Sequence, residues 1–282
     1  MNFLIEKLET ELDSFDIFQR VASEPFVFFL DSSLKSGANG RYSFIGYDPF
    51  EVVQAQGPQA LDILQKQFSS YSYRSDQHPF PLMTGAVGYM SYDYGLHQER
   101  IKAVSKKDIH IPDCMFGFYD RIIVVDHLSS ETYIVSTGWP EKEEALQKKR
   151  AQVRLDEAKQ KIYSRTNSDQ LNTSAGDLTL RCNFTKEQYI QAAQKALNYI
   201  ADGDVYQINL SQRFEALTEN PLSAVEIYKM LRALSPTNFS SYFDCGDFKI
   251  IGRSPERFLS LKNNVVQTQP MKGTRPRGLD AA

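Results

Sequence analysis

The sequence predicts an α+β fold, with antiparallel sheets carrying helices in two interlocked halves. Three observations predict it. Residues 1–140 are rich in short apolar runs of strand character, 141–180 hold one charged helix and a polar linker, and 181–282 alternate helical spacing with strand-and-turn patterns. At 282 residues the chain is long enough for two domains of ordinary size.

In the first part, Phe26–Leu30 reads as a buried strand. Arg121–Asp126 and Glu131–Ser136 read as two strands of an antiparallel hairpin, joined by a short polar turn. Glycine-bearing aromatic segments, 40–46 and 85–92, lie between them. Glu141–Ile162 has helix-forming composition and a thin apolar stripe of Leu146, Val153 and Ile162, which predicts a solvated helix. Residues 164–177 are rich in Ser, Thr, Asn and Asp, as a linker is.

The last part is patterned more sharply. Thr185 with Gln188 forms a capping-box signature. Tyr189, Ala193, Leu197 and Ile200 follow at helical spacing, with Gly203 as the stop. Strict alternation over 206–214 predicts a half-buried strand. Asn220-Pro221 predicts the opening of a second helix, lined by Leu222, Val225, Tyr228, Leu231 and Leu234. Residues 240–252 read as a hairpin about Cys245-Gly246. The final residues, Gly278–Ala282, close no element, and a module of this length buries a limited core, which predicts truncation.

Composition excludes several function classes. The 18 Phe, 15 Tyr and one Trp can build cores, so the chain is not disordered. A net charge of −3 offers no broad basic surface for nucleic acid. Three scattered cysteines argue against a disulfide framework and fit a reducing compartment. The four histidines lack zinc spacing, and no metal ligand is assigned. Neither a signal peptide nor a membrane span is evident, and the cytoplasm is the expected location.

The segment Ser254–Thr274 carries the candidate chemistry. Two strand patterns flank Lys262-Asn263-Asn264, and asparagine pairs favour a hairpin turn. A hairpin centred on Asn264 sets Glu256 opposite Lys272, with Cβ atoms about 5 Å apart. A lysine beside a glutamate suits a nucleophile and its proton carrier, although spacing alone favours a cross-strand ion pair. Gly273 and Thr274 bare backbone N–H groups to a ligand.

Residues 204–214, Ser254-Pro-Glu-Arg-Phe258 and Pro270–Gly278 resemble consecutive signatures of the chorismate-utilising enzymes, which include the large subunits of anthranilate synthase and aminodeoxychorismate synthase. Leu30-Asp-Ser32, Arg41–Phe44 and Gly85–Asp93 resemble that family's N-terminal domain. The resemblance implies an N-terminal domain over 1–140, a helix and linker over 141–180, and an incomplete chorismate-binding catalytic domain over 181–282. It implies that Lys272 adds to C2 of chorismate, that Glu256 protonates the departing C4 hydroxyl, and that Gly273 and Thr274 bind substrate. Anthranilate synthases usually carry alanine where this chain has Lys272, so lysine points to aminodeoxychorismate synthase component I, served with ammonia by a glutamine amidotransferase. Mg²⁺ is the implied cofactor, with ligands expected beyond residue 282, so the chain as given is expected to be inactive. A tryptophan site is implied at Ser32, Arg41, Tyr42, Asn238, Phe239 and Ser240. The rival readings are anthranilate synthase component I and a non-catalytic module that binds tryptophan or a partner.

Overall fold

A computed structural model describes residues 3–35, 38–71, 79–99, 101–102, 108–164, 178–218, 222–271 and 273. Contacts divide the chain into two units, Met1–Asn167 with Ile227–Ala282, and Ser168–Glu226. In chain order the first unit contains β1 (Leu4–Leu8), α1 (Ser14–Val21), β2 (Phe28–Asp31), β3 (Tyr42–Gly46), β4 (Glu51–Ala55), α2 (Ala60–Ser70), β5 (Gly85–Met90), α3 (Tyr94–Gln98), β6 (Cys114–Tyr119), β7 (Arg121–Asp126), β8 (Glu131–Ser136) and α4 (Glu144–Tyr163). The second unit holds β9 (Thr179–Cys182), α5 (Lys186–Ala201) and β10 (Phe214–Leu217). Helix α6 (Ala224–Leu234) leads back to the first unit, which continues with β11 (Phe239–Asp244), β12 (Lys249–Ser254), β13 (Arg257–Lys262) and β14 (Val265–Gln269).

Seven strands form one antiparallel sheet in the order β1-β8-β7-β3-β2-β11-β12. Strand β11 pairs with β2, Ser240 opposite Asp31 and Phe243 opposite Phe28. The halves therefore interlock within a single sheet. This is why the units group residues differently from the expected boundaries at 140 and 180.

Alternation along β2 explains how the sheet buries both faces. Phe28 packs with Met83, Met115, Tyr119, Val124 and Phe243. Phe29 turns the other way and stacks on Phe18 of α1, ring centroids 5.0 Å apart. Tyr228 of α6 and Tyr242 of β11 meet Phe18 at 6.1 and 5.0 Å. Helix α4 crosses β1, β7 and β8 on the sheet. A second sheet, β4-β6-β5, carries α2 through Leu64 against Val53 and Phe118.

Four expectations are corrected. Helix α4 buries Ala151, Arg154, Leu155, Ala158 and Ile162, whereas Leu146 and Val153 are exposed. The stripe was disguised because two members are alanines and one is an arginine, which is neutralised by Asp120 at 3.1 Å and Asp48 at 2.5 Å. The predicted strand over 206–214 is realised only from Phe214, where β10 pairs with β9. Residues 206–213 find no ladder partner among the described residues, and alternation alone does not hold a strand. Helix α6 opens on a Ser223–Glu226 capping box, while Asn220-Pro221 lie outside the described residues. The fourth concerns the register of β13 and β14, described with the site.

Helix α5 has the expected box, Thr185 Oγ1 accepting from the Gln188 N–H at 3.2 Å, and Gly203 follows at φ +83°. Its apolar positions Ile190, Leu197 and Ile200 are exposed.

Candidate active site

Strands β13 and β14 form a two-stranded antiparallel hairpin. Asn263 and Asn264 both take left-handed φ, 50° and 61°, so the turn has two central residues, as asparagine permits. Lys262 consequently faces Val265, and an irregularity between Arg257 and Ser260 sets Arg257 opposite Gln269. A hairpin centred on Asn264 would have set Arg257 opposite Met271. The expected register is thus corrected: the turn is centred between the two asparagines, and a bulge consumes a further residue. Lys272 and Thr274 lie outside the described residues. Glu256 is half-buried and sits in the tight corner between β12 and β13, where Ser254 Oγ donates to the Glu256 carbonyl at 3.0 Å. Gly273 is exposed, and a Cβ there would meet nothing within 4 Å.

The β2–β11 pairing brings Ser32, Asn238, Phe239 and Ser240 together. Ser32 Oγ donates to the Tyr42 carbonyl at 2.7 Å and lies 3.3 Å from the Asn238 carbonyl. Ser240 Oγ lies 2.7 Å from Thr237 Oγ1 and 3.2 Å from Ser33 Oγ. Asn238 Oδ1 is buried without a hydrogen-bond partner. The Tyr42 carbonyl belongs to this cluster, but the side chains of Arg41 and Tyr42 are engaged elsewhere. The Arg41 guanidinium grips Asp126 with two nitrogens, at 3.1 and 2.7 Å, and the Tyr42 ring packs with Phe44 and Phe80.

Beside this cluster lies a buried polar network that the sequence reading missed. The Asp31 carboxylate accepts from Tyr228 Oη at 2.9 Å, Arg232 Nε at 2.7 Å and Ser43 Oγ at 3.2 Å. Ser43 also meets His127 Nε2 at 2.7 Å. Burial, then the Asp31 charge, push the Tyr228 hydroxyl well above its ordinary range. Burial, reinforced by the Lys35 charge, pulls the His127 imidazole below its ordinary value. The signal available in the sequence was an aspartate closing an apolar strand, which demands buried partners.

These features coincide with a match to known proteins: residues 26–282 fit the chorismate binding enzymes. The chain belongs to that family. It is 33% identical over 265 residues to aminodeoxychorismate synthase component 1 of Bacillus subtilis (strain 168), covering 87% of this chain and 54% of that protein. It is 29% identical over 273 residues to anthranilate synthase component 1 of Thermus thermophilus, covering 93% of this chain and 57% of that protein. Among solved structures, anthranilate synthase component I from Streptococcus pneumoniae TIGR4 shares the fold with a TM-score of 0.68 at 24% identity, over 82% of this chain and 54% of that one. The chain spans about half the length of the curated relatives it matches.

Glu256 precedes β13 and Gly273 follows β14, while the Ser32–Ser240 cluster lies on the seven-stranded sheet. Among the described residues, no group of three or more His, Cys, Asp or Glu side chains could hold a metal ion. No described helix is long and apolar enough to cross a membrane.

Proposed function

We propose that this chain is part of an aminodeoxychorismate synthase component I, which converts chorismate and ammonia to 4-amino-4-deoxychorismate for 4-aminobenzoate and folate synthesis. One observation carries the reading: a lysine at position 272, within Pro270-Met-Lys-Gly-Thr274. The Bacillus subtilis relative of that name supports it. In this reading the neutral Lys272 amine forms a C–N bond at C2 of chorismate. Both double bonds of the ring diene shift by one position, the C4–O bond breaks, and Glu256 gives its proton to the departing hydroxyl, which leaves as water. Ammonia, released from glutamine by a partner amidotransferase, then attacks C4. Both double bonds shift back and expel the lysine amine from C2.

Lysine attacks only as the free amine, so the site must be desolvated to lower its pKa. The β13–β14 hairpin is open to solvent, with Phe258 at 83% exposure and Leu261 at 72%. Mg²⁺ belongs to the reading as a charge partner of the substrate carboxylate. A tryptophan site on Ser32, Asn238, Phe239 and Ser240 also belongs to it, supported by their convergence and by the unpartnered Asn238 Oδ1. Calorimetric titration with tryptophan tests that part, and a flat titration removes it.

The main test uses the full-length protein with chorismate and Mg²⁺, followed by mass spectrometry of the Lys272 peptide. An adduct on Lys272, cleared by ammonia with release of 4-amino-4-deoxychorismate, is the expected result. Anthranilate formation with unmodified Lys272 would instead favour anthranilate synthase component I, a reading to which the Thermus thermophilus relative lends weight.

A further inference from the structure

We propose that Asn39 is a positioning residue, clamping the base of the β13–β14 hairpin so that Glu256 is held for reaction; this rests on the function proposed above. The side-chain amide of Asn39 reaches both strands. Its Nδ2 donates to Gln269 Oε1 at 2.7 Å, and its Oδ1 accepts a long contact from an Arg257 Nη at 3.5 Å. Arg257 and Gln269 are directly opposite each other, at the end of the hairpin where the register has slipped. Arg257 directly follows Glu256 in the chain. One amide thus contacts the side chains of the last described pair of the ladder, one residue from Glu256.

A two-stranded ribbon is marginal on its own, and among the described residues β13 and β14 pair with no other strand. Leu259, Leu261, Val265 and Val266 are all more than half exposed, so among the described residues polar contacts, not apolar packing, tie the hairpin to the sheet. A second hold is the Arg257 guanidinium, 5.0 Å above the Phe239 ring on β11.

The anchor is itself rigidly mounted. Asn39 lies in a 3-10 turn, Ala38–Gly40, that follows β2. A Cβ on Gly40 would come within 2.9 Å of the Lys35 backbone and 3.1 Å of Asn238 Oδ1, so this turn is pressed against the β11 end of the sheet. Ser32 Oγ lies 3.3 Å from the Asn39 carbonyl. The clamp therefore transmits the position of the seven-stranded sheet to the hairpin. Misplacing a reacting group by about 1 Å costs on the order of 100-fold in rate.

The experiment compares full-length wild type with Asn39→Ala, Gln269→Ala and the double variant. We expect each single variant to lower kcat by roughly 10- to 100-fold, with the KM for chorismate within about twofold of wild type. The double variant should be no worse than either single one, because both remove the same bond. Unchanged kcat in Asn39→Ala, or multiplicative losses in the double variant, would overturn the clamp. Hydrogen–deuterium exchange on the same proteins reads the clamp without reference to chemistry. Amides of 258–268 should exchange faster in Asn39→Ala while β3 and β7 keep their protection, and unchanged hairpin exchange also overturns it. A wild type that forms no Lys272 adduct would count against the proposed reaction, leaving the exchange result to decide the clamp. If Asn39→Ala fails to fold, Gln269→Ala, on the exposed hairpin, serves both readouts.

Discussion

Asp31 shows how one residue can tie distant segments together. Its side chain is fully buried, and its partners Tyr228 and Arg232 come from α6, about two hundred residues away. Replacing Asp31 by alanine would leave the Arg232 guanidinium, only 18% exposed, without its counter-charge. We expect a loss on the order of 3 kcal/mol in urea unfolding, recovered in part by adding Arg232→Met. His127 supplies a pH dependence. Burial lowers its pKa, Lys35 and Arg232 lower it further, and Asp31 and Asp126 oppose them. The unfolded chain then takes up a proton at higher pH than the fold does. The contribution is fully present above about pH 6.5 and fades as pH falls through the lowered folded value. Melting temperature should therefore drop as pH falls below about 6.5, and His127→Asn should flatten that limb; an unchanged limb would remove His127 as its cause. Lys272 and Glu256 were legible in the sequence as chemically suited residue types. The Asp31 network was not, because its members are scattered in sequence and only strand pairing assembles them.

At the scale of elements, legibility followed how completely a pattern stated its own burial. Strands β7 and β8 matched the sequence reading residue for residue, since an apolar run buried on both faces has few alternative readings. Helix α4 was read as a helix but assigned the wrong face, because alanine and a salt-bridged arginine do not register as apolar. This makes a direct comparison possible. Leu155→Ala should cost about 2–5 kcal/mol, whereas Val153→Ala should change stability by less than about 0.5 kcal/mol. Equal effects in thermal or denaturant melts would mean that the helix presents a different face. The β13–β14 hairpin was also foreseen in kind and missed in register. A single residue of turn length decides which side chains face each other, and Asn-Asn is compatible with either centring.

The whole molecule is governed by the insertion of β11 beside β2, which no local pattern announces. Phe18, Phe28 and Phe29 are fully buried, and part of what buries them is Tyr228, Tyr242 and Phe243 from the C-terminal half. Aromatic core truncations cost on the order of 3–5 kcal/mol each, and a domain's net stability is only about 5–15 kcal/mol. Removing all three C-terminal partners together with the β11 ladder should therefore exceed what residues 1–167 can supply. It would also leave β2 as an exposed apolar edge, a template for aggregation. Expressed alone, 1–167 should be insoluble or lack a cooperative melt, and co-expression with 222–282 should restore a soluble complex if β11 can add in trans. A soluble 1–167 monomer with a sharp thermal transition would show instead that the first half closes its own core. The interlocking would then be an addition to a finished domain, and the hold of the sheet on the β13–β14 hairpin would be correspondingly weaker.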